Sequence, residues 1–472
     1  MTTSRSDVPT MIGATKTGAA ASMAAAIVVA SVVAVPPVMS APTRAALRSD
    51  SSPMRLGPGL TYQRLEERPG PVVVHVVRLD PAQATTIDLG AGGPTMGRFA
   101  RPSVIGRAHG ALVAINADFG SLHGFPIHPF QMDGTLMGRG VQNGTSFAVT
   151  HDETAAFVGP PRPAADGVLE TGNVGFTVSG WNSHRPADGA IAAFTRYGGS
   201  IHRPPDSGCA ARLDADGPLG WAALEAGVSR RYTVDVVRCV SPPRRVGSRE
   251  VVLASRRWGH GADTIEAMQP GDRVRLSWSV GWPRALDAVG GMPRLVDDGR
   301  SVAPRCRSSF CRRNPRTGIG VTGDGRLLLV VVDGRSRRSV GMTLRRFART
   351  FLDLGAVEAV NLDGGGSSVM WIRGRGIVNS PSDPGGERPV VNALMILPGA
   401  DAGEEAITGV DVDGSTGRPS IAGAWLATAG SLAASDAGST GGLAAAWLEG
   451  VLGPEPVSPA LRRLGLSFRA GR

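Results

Sequence analysis

The stretch GIGVTGDGRLLLVVVD, Gly318 to Asp333, is the clearest hairpin in the sequence. Gly323, Asp324 and Gly325 supply the positive-φ positions that a tight turn needs. The run LLLVVV that follows the turn has the length and the β-branching of a buried strand. We therefore predict two antiparallel strands, the second of them buried.

One helix is predicted directly downstream, from Thr343 to Leu354. Thr343 can cap it, and Gly355 can end it in the left-handed conformation. Its apolar face consists of Leu344, Phe347, Phe351 and Leu352. The next segment, AVEAVNL, is typical of a strand. The helix would therefore cross back onto the sheet and bring Asp363 to a strand end, where polar groups tend to be exposed.

The whole chain of 472 residues is long enough to bury a large core, in one large domain or in two to three ordinary ones. Its high glycine and proline counts, 65 and 35, favour a loop-rich β architecture over helical bundles. Short apolar segments bounded by Gly, Pro or Asp begin at about Pro71. Residues 170–280 have longer polar connections, typical of an inserted or peripheral subregion. We expect an α+β fold of mixed, β-rich sheets with few helices, forming a single catalytic domain over residues 46–400.

Both ends of the chain differ from this domain. Residues 1–45 contain Arg5 and Lys16, then an apolar segment and small residues, as in an export signal. The apolar segment is near the lower length limit for crossing a bilayer, so an uncleaved N-terminal anchor is the alternative. Both the export signal and the anchor predict a secreted or cell-envelope protein. Residues 401–472 are of low complexity and are predicted to be a disordered tail.

The four cysteines are even in number, and export would permit disulfides. Cys209 with Cys239 and Cys306 with Cys311 is the simplest of the three pairings. Their spacing does not match zinc sites. The sequence requires no cofactor and leaves a divalent metal open without indicating one.

A net charge of +10 comes almost wholly from arginine, because Lys16 is the only lysine. A nucleic-acid surface would cluster basic residues with aromatic ones on one element, whereas these arginines are scattered along the sequence. We therefore expect no nucleic-acid partner, and contact with a membrane only through the N-terminal segment. The charge fits an anionic small-molecule or envelope partner equally well.

Polar, glycine-containing stretches follow or precede several predicted strands and could converge on one rim. Each also has a simpler interpretation: an Asp-Gly pair is most often a turn, and Ser367 and Ser368 lack the GxSxG elbow of a serine hydrolase. His123 and His128 do not have the spacing of a zinc motif, and we interpret them as surface or site-lining residues. The candidate site residues are Asn116, Asp118, Arg316, Thr317, Asp333, Asn361, Asp363, Gly364, Gly365, Gly366, Ser367, Ser368, Asp383, Glu387 and Arg388.

Their chemistry suits a substrate that carries both a sugar and a phosphate. Carboxylates near a sugar can act as nucleophile or base. Arginine binds phosphate oxygens in a bidentate manner, and glycine lets backbone N–H groups approach an anion closely.

The order RTGIG, DGR, helix, NLDGGGSS and PSDPGGERPVVNAL resembles the phosphodiester glycosidase family. The similarity extends upstream through AINADF and covers roughly residues 70–398. It implies hydrolysis of the glycosidic C–O bond of a sugar-1-phosphodiester. Because export is also predicted, we expect the substrate to be an envelope glycopolymer or exopolysaccharide. Arg316 and Arg388 would bind phosphate, and Asp363 would act at the sugar centre or fix its hydroxyls. Asp118 and Glu387 would be acid/base partners, with Asp333 as a further catalytic candidate.

The chain departs from the family pattern in its first motif, where Ala117 replaces a glycine and Gly120 replaces a second aromatic residue. Two other functions stay open: a catalytically silent glycan-binding module, and a phosphodiesterase that cleaves P–O. The second would more usually assemble Asp and His around two metals.

Overall fold

A computed structural model describes residues 47–49, 52–67, 70–83, 85–142, 144–150, 156–182, 188–198, 208–216, 229–239, 246–256, 259–282 and 285–399. The predicted N-terminal signal or anchor and the predicted C-terminal tail lie outside these residues, as do both ends of the predicted 46–400 domain. Among the described helices, none is both long and apolar enough to cross a bilayer.

The described chain is built mainly of strands. The strands are β1 (Met54–Gly57), β2 (Leu60–Glu67), β3 (Val72–Leu79), β4 (Thr85–Ala91), β5 (Val113–Asn116), β6 (Phe130–Met132), β7 (Thr135–Gly138), β8 (Thr145–Thr150), β9 (Ala156–Gly159), β10 (Ala164–Leu169), β11 (Val174–Trp181), β12 (Ile191–Phe194), β13 (Ala210–Ala215), β14 (Arg230–Arg238), β15 (Glu250–Ser255), β16 (Arg273–Ser279), β17 (Ala285–Gly291), β18 (Arg294–Asp297), β19 (Arg300–Ser301), β20 (Arg316–Thr322), β21 (Leu327–Val332), β22 (Ala356–Asn361), β23 (Met370–Ile372), β24 (Gly376–Ile377) and β25 (Asn392–Pro398). The α-helices are α1 (Pro102–Ala108), α2 (His260–Glu266) and α3 (Leu344–Asp353).

These strands form three open sheets and one closed barrel. The largest sheet has the order β1-β2-β3-β21-β20-β22-β18-β19. Two five-stranded sheets have the orders β7-β6-β17-β8-β9 and β24-β23-β5-β25-β4. The β-rich prediction is confirmed. The helical share is smaller than an α+β description suggests, because only these three helices occur in the described residues.

The predicted hairpin is β20 and β21, paired antiparallel in the middle of the largest sheet. Of the three residues expected at positive φ in its turn, only Gly325 has it, at 81°. β21 is buried on both faces, which explains its unbroken apolar sequence. Leu329 and Val331 contact a core shared with the two five-stranded sheets, and the alternate residues face α3.

Helix α3 begins and ends where its capping residues predict. The Thr343 hydroxyl accepts a hydrogen bond from the Arg346 N–H, and Gly355 has a φ of 93°. Leu344, Phe347 and Phe351 are buried against the sheet, and Leu352 is partly buried. Helix α3 joins β21 to β22, so the chain crosses back onto the same sheet as predicted, and β22 pairs there with β20.

The loosely defined subregion at 170–280 is the closed barrel β10-β11-β12-β15-β13-β14-β16. Its interior is filled by large side chains, among them Trp181, Tyr232 and Trp278. The segments GNVGFTVSGWN, AIAAFT, YTVDVVRCV and RVRLSWSV predict β11, β12, β14 and β16, whereas β10, β13 and β15 were not predicted from the sequence. The disulfides Cys209–Cys239 and Cys306–Cys311 are both formed in the structure.

Two glycines of β20 determine how closely α3 approaches the sheet. A Cβ added at Gly318 would lie 2.9 Å from Phe347 Cε1, and one added at Gly320 would lie 2.8 Å from Phe351 Cδ1. The Gly320 position is also 2.9 Å from the Glu358 carbonyl oxygen, which cannot move without displacing β22.

We expect Gly320→Ala to lower the free energy of unfolding by about 1–3 kcal/mol, because overpacking forces side chains and backbone apart. The matched control is Gly323→Ala, where the added Cβ would lie 3.5 Å from Val357 Cγ1, an ordinary contact. Urea unfolding of both variants measures the difference. Equal midpoints for the two variants would show that the close approach of α3 is not required.

Candidate active site

Asp363 lies just beyond the end of β22, where three strands from two sheets meet. Its backbone N–H donates to the Ala117 carbonyl, directly after β5, over 2.9 Å. The preceding Leu362 N–H donates to the Thr317 carbonyl of β20 over 2.8 Å. The candidate residues after β5, in β20 and after β22 are therefore brought together, although they are far apart in sequence.

The Asn116 side chain connects these strand ends. Its amide Nδ2 donates to the Asp363 carbonyl over 2.6 Å, and its Oδ1 accepts from the Thr317 hydroxyl over 2.8 Å. The same Oδ1 accepts from the Val369 N–H over 3.1 Å. Asn116 is fully buried, so loss of these bonds would leave polar groups without water to replace them.

The three glycines after Asp363 form a sharp turn with close neighbours on both sides. The Gly365 N–H donates to the Pro315 carbonyl over 3.0 Å, and Gly365 has a φ of 64°. A Cβ on Gly365 would lie 3.1 Å from Arg335 Nη2. At Gly366 an added Cβ would lie 2.3 Å from Arg388 Nη2. The absence of a Cβ at these two glycines therefore leaves the space that the two guanidinium groups occupy against this turn.

Asp363 is a half-buried carboxylate with a perturbed pKa. Burial raises its pKa to about 6, and the nearby Asp118 carboxylate acts in the same direction. Hydrogen bonds from the Ser367 hydroxyl and the Gly364 N–H, together with the charge of Arg388, limit the rise. A carboxylate poised near neutral pH can accept a proton from water.

Asp118 and His128 form a buried pair behind Asp363. His128 Nδ1 and Asp118 Oδ1 are 2.6 Å apart, and the His128 N–H donates to Asp118 Oδ2 over 3.0 Å. Burial raises the pKa of Asp118, whereas the bonds from His128 lower it. His128 Nε2 is buried without a partner in the described residues. The sequence pointed to a site-lining or surface position for His128, and its spacing from Asp118 gave no signal of this pair.

Asp333 lies at the end of a second buried chain of polar groups. His75 Nε2 is 3.3 Å from Asp333 Oδ2, and His75 Nδ1 is 2.8 Å from the Tyr62 hydroxyl. Asp333 Oδ1 accepts from the Ser380 N–H over 2.8 Å and from Asn379 Nδ2 over 3.3 Å. These contacts attach the segment that carries Asp383, Glu387 and Arg388 to the largest sheet.

Arg316 differs from its expected role in phosphate binding. It is buried, and its Nε donates to the Met342 carbonyl over 3.0 Å. Its Nη2 donates to the carbonyls of Phe310 and Arg312 over 2.6 and 2.7 Å. Burial lowers its pKa to about 10, with the charge of Arg335 acting in the same direction. In this arrangement Arg316 holds the disulfide loop 306–311 in place.

Glu387 is also engaged by the protein. Its two carboxylate oxygens accept from the Ser103 N–H and the Ser103 hydroxyl, each over 2.6 Å, at the start of α1. Arg388 Nε donates to Asp383 Oδ2 over 2.6 Å. Glu387 therefore fixes the segment, while Asp383 orients the Arg388 guanidinium group.

Two further candidates from the sequence contribute buried polar atoms. Asn361 Nδ2 donates to the carbonyls of Met292 and Leu362 over 2.7 and 2.8 Å. Asn361 Oδ1 and the Ser368 hydroxyl are buried and have no hydrogen-bond partner among the described residues.

Arg335, Phe119 and Phe310 lie at the edge of the candidate site. The sequence did not single out Arg335 or Phe310. Arg335 Nη2 donates to Asn314 Oδ1 over 3.1 Å. The rings of Phe119 and Phe310 lie 6.1 Å apart, and Phe119 lies at the same distance from the His128 ring. The DGR motif at 333–335 could have pointed to Arg335, because arginine after a strand end is well placed for an anion.

Within the described residues, one group of three aspartates could hold a metal ion. Carboxylate oxygens of Asp88, Asp133 and Asp287 lie within 4.8 Å of one another. Burial and the two neighbouring carboxylates raise the pKa of Asp287. Contacts between this group and the residues around Asp363 are not seen in the described part of the chain, so we give it no role at the candidate site.

The raised pKa of Asp363 predicts a pH-dependent cost to stability. Its folded-state pKa of about 6 exceeds the ordinary value, so the folded protein holds this proton more tightly. The contribution of protonated Asp363 to the free energy of unfolding is fully present below about pH 4, and it is lost as the pH rises through about 6. We expect Asp363→Asn to raise the free energy of unfolding by about 1–3 kcal/mol at pH 8, and by little at pH 4.

Urea unfolding across this pH range tests the expectation. Asp353→Asn, which removes an exposed carboxylate from α3, is the matched control and should leave the pH profile in place. A profile that is unchanged in Asp363→Asn would contradict the raised pKa.

Comparisons with known proteins show that other proteins share this fold. A crystal structure of a hypothetical protein from Synechocystis aligns with a TM-score of 0.58 and 22% identity, over 72% of this chain and 62% of that one. A Burkholderia pseudomallei protein, named as a candidate exported protein, aligns with a TM-score of 0.52 and 23% identity, over 70% of this chain and 74% of that one. At these identities the two structures show a shared fold.

In sequence, the chain is 45% identical over 84 residues to the SPbeta prophage-derived uncharacterized protein YomE of Bacillus subtilis. The match spans 18% of this chain and 13% of that protein, so the chain covers a small part of this relative. Residues 232–397 match the model of the phosphodiester glycosidase family. This match includes β20, β22 and the Asp363 turn, whereas Asn116 and Asp118 lie upstream of it. The family resemblance that the motifs predicted is therefore confirmed over residues 232–397.

Proposed function

We propose that the chain hydrolyses the glycosidic C–O bond of a sugar-1-phosphodiester, releasing free sugar and a phosphomonoester. The observation that carries the proposal is the position of two guanidinium groups, those of Arg335 and Arg388, against the glycine turn that directly follows Asp363. A carboxylate with a pKa of about 6 is ionised at neutral pH and can act on water or on the sugar. The guanidinium groups offer bidentate donors to phosphate.

In the proposed reaction, Asp363 accepts a proton from a water molecule as the water oxygen attacks the anomeric carbon. The bond between the anomeric carbon and the phosphate oxygen breaks, and its electron pair stays on that oxygen. Arg335 and Arg388 stabilise the charge that develops there. Because a neutralised phosphate is already a good leaving group, a separate general acid is not needed.

The other candidate carboxylates support this arrangement without touching the reacting atoms. Asp118, paired with His128, contributes to the raised pKa of Asp363. Asp333 and Glu387 anchor the segment that presents Arg388. We propose that Arg316, which donates to backbone carbonyls, positions the disulfide loop 306–311 beside the site. Arg335 then takes the role in phosphate binding that was predicted for Arg316 from the sequence.

We place the reaction outside the cytoplasm, on an envelope glycopolymer or exopolysaccharide. The positively charged and apolar N-terminal segment supports export. The two disulfides support it as well, because disulfides persist in oxidising compartments.

The position of the cleaved bond is the direct test. We expect a synthetic methyl hexose-1-phosphodiester, turned over in water labelled with heavy oxygen, to yield labelled sugar and unlabelled phosphomonoester. Label in the phosphate would mean P–O cleavage and would sink the proposal. Asp363→Asn should lower kcat by at least about 100-fold, because a general base contributes about that much. Glycan binding without turnover, unchanged in Asp363→Asn, would favour a silent binding module.

The glycine turn offers a second test. Gly366→Ala should displace Asp383 and Arg388, since the added Cβ would lie 2.0 Å from Asp383 Oδ1 and 2.3 Å from Arg388 Nη2. We expect kcat/KM to fall by roughly 10- to 100-fold, the effect of misplacing a positioning group. Gly385→Ala is the matched control, because an added Cβ there meets nothing within 4 Å. Unchanged kcat/KM in Gly366→Ala would remove Arg388 from the proposed site.

A further inference from the structure

Two segments beside the proposed site contain arginine but no acidic residue. Residues 299–323 and residues 334–352 each contain six arginines and no aspartate or glutamate. Along the sequence these arginines are interleaved with other residues and separated by β21. The sequence alone therefore shows no clear basic cluster.

The structure joins the two segments next to Asp363. Asn314 and Met342 exchange backbone hydrogen bonds of 3.1 and 3.0 Å, and Asn314 Oδ1 also accepts from Arg335. Phe310, inside the disulfide loop 306–311, packs on Phe119, the residue after Asp118. The surface formed by the two segments therefore borders the candidate site.

Six arginines on this surface form what we call the arginine rim: Arg305, Arg307, Arg312, Arg313, Arg337 and Arg338. All six are exposed. No carboxylate of the described residues lies within ion-pair distance of any of them. Arginines of the barrel are arranged differently: Arg212, Arg231 and Arg273, for example, each have an acidic partner. The rim therefore presents positive charge that the described part of the chain does not neutralise.

This excess of charge is larger than a single phosphodiester needs. One such group carries one negative charge, and Arg335 and Arg388 already lie at the glycine turn. Several unpaired cations around a cleft raise the local concentration of a polyanion and bind it by releasing its counterions. A chain with a phosphate in each repeat would occupy the rim and the Asp363 site at the same time.

We propose that the arginine rim binds neighbouring phosphates of a polymeric substrate, a glycan whose sugars are linked through phosphodiesters, while one linkage occupies the Asp363 site. This inference rests on the proposed function and specifies its substrate class. Nucleic acid fits the rim less well, because single-strand binding surfaces combine basic residues with exposed aromatic platforms, and no aromatic residue lies among the six arginines in sequence except Phe310, which packs on Phe119.

The test compares two substrates of the same linkage: a methyl hexose-1-phosphodiester and a synthetic oligo(hexose-1-phosphate). The rim variant replaces Arg305, Arg307, Arg337 and Arg338 by Gln. The matched control replaces four other exposed arginines, Arg55, Arg238, Arg249 and Arg275, by Gln and therefore makes the same change in net charge.

We expect the rim variant to lose at least about 10-fold in kcat/KM on the oligomer, to keep its activity on the monomer within about two-fold, and to show a weaker salt dependence. The control should resemble the wild type. Affinity for a fluorescent oligomer is measured in parallel, so that the rim is tested even without turnover. Rim-dependent binding without turnover supports the rim and rejects the proposed hydrolysis.

Three results would overturn the inference. The first is turnover of both substrates with no effect of the rim variant on the oligomer. The second is oligomer affinity that is equal in the rim variant, the control and the wild type. The third is equally strong, equally rim-dependent binding of single-stranded oligothymidylate or of vesicles rich in anionic phospholipid, which would assign the rim to a different class of partner.

Discussion

The three hydrogen bonds of the Asn116 side chain are the interaction on which the candidate site depends. They join the end of β5 in one sheet to Thr317 in another and to both sides of the Asp363 turn. An amide is suited to this place because it donates from one atom and accepts at the other. A carboxylate or an apolar side chain could make only part of this set. The buried position makes each bond costly to lose, which fixes the turn relative to both sheets.

The second constraint is the absence of side chains at the glycines on each side of this connection. Gly318 and Gly320 let α3 pack on the sheet, and Gly365 and Gly366 let two arginines lie against the turn. In both places backbone or charged groups occupy the space that a Cβ would fill. The glycine-rich motifs are therefore explained by close approach as much as by positive φ, which among these four is found only at Gly365.

The electrostatics of the site follow from differences in burial. Asp118 and Asp333 are buried and hydrogen-bonded to histidines, so each is held in a fixed environment. Asp363 is half-buried and bonds to its own turn, and burial alone is the largest cause of its raised pKa. Chemically similar carboxylates therefore differ in whether they can take part in proton transfer, because only a group with access to the substrate can transfer a proton to or from it. The same distinction separates the buried Arg316 from the accessible Arg335 and Arg388.

The sequence by itself determined the local elements and the family. The turn and strands of the β20–β21 hairpin, the capped helix α3 and the strand before Asp363 depend on contacts between near neighbours, and these are legible in the residue types. The order of the motifs was enough to reveal the resemblance to the phosphodiester glycosidase family, which was confirmed over residues 232–397. The disulfide pairing was also the simplest one that the spacing allowed.

Only the tertiary structure decided which side chain does what. His75 lies beside Asp333, and Arg335 lies against the Gly365 turn, through contacts between residues distant in sequence. Arg316 is turned away to backbone carbonyls. Burial, hydrogen bonding and charge at a site are properties of the space around a side chain. Sequence specifies the side chain, and folding across three sheets supplies that space.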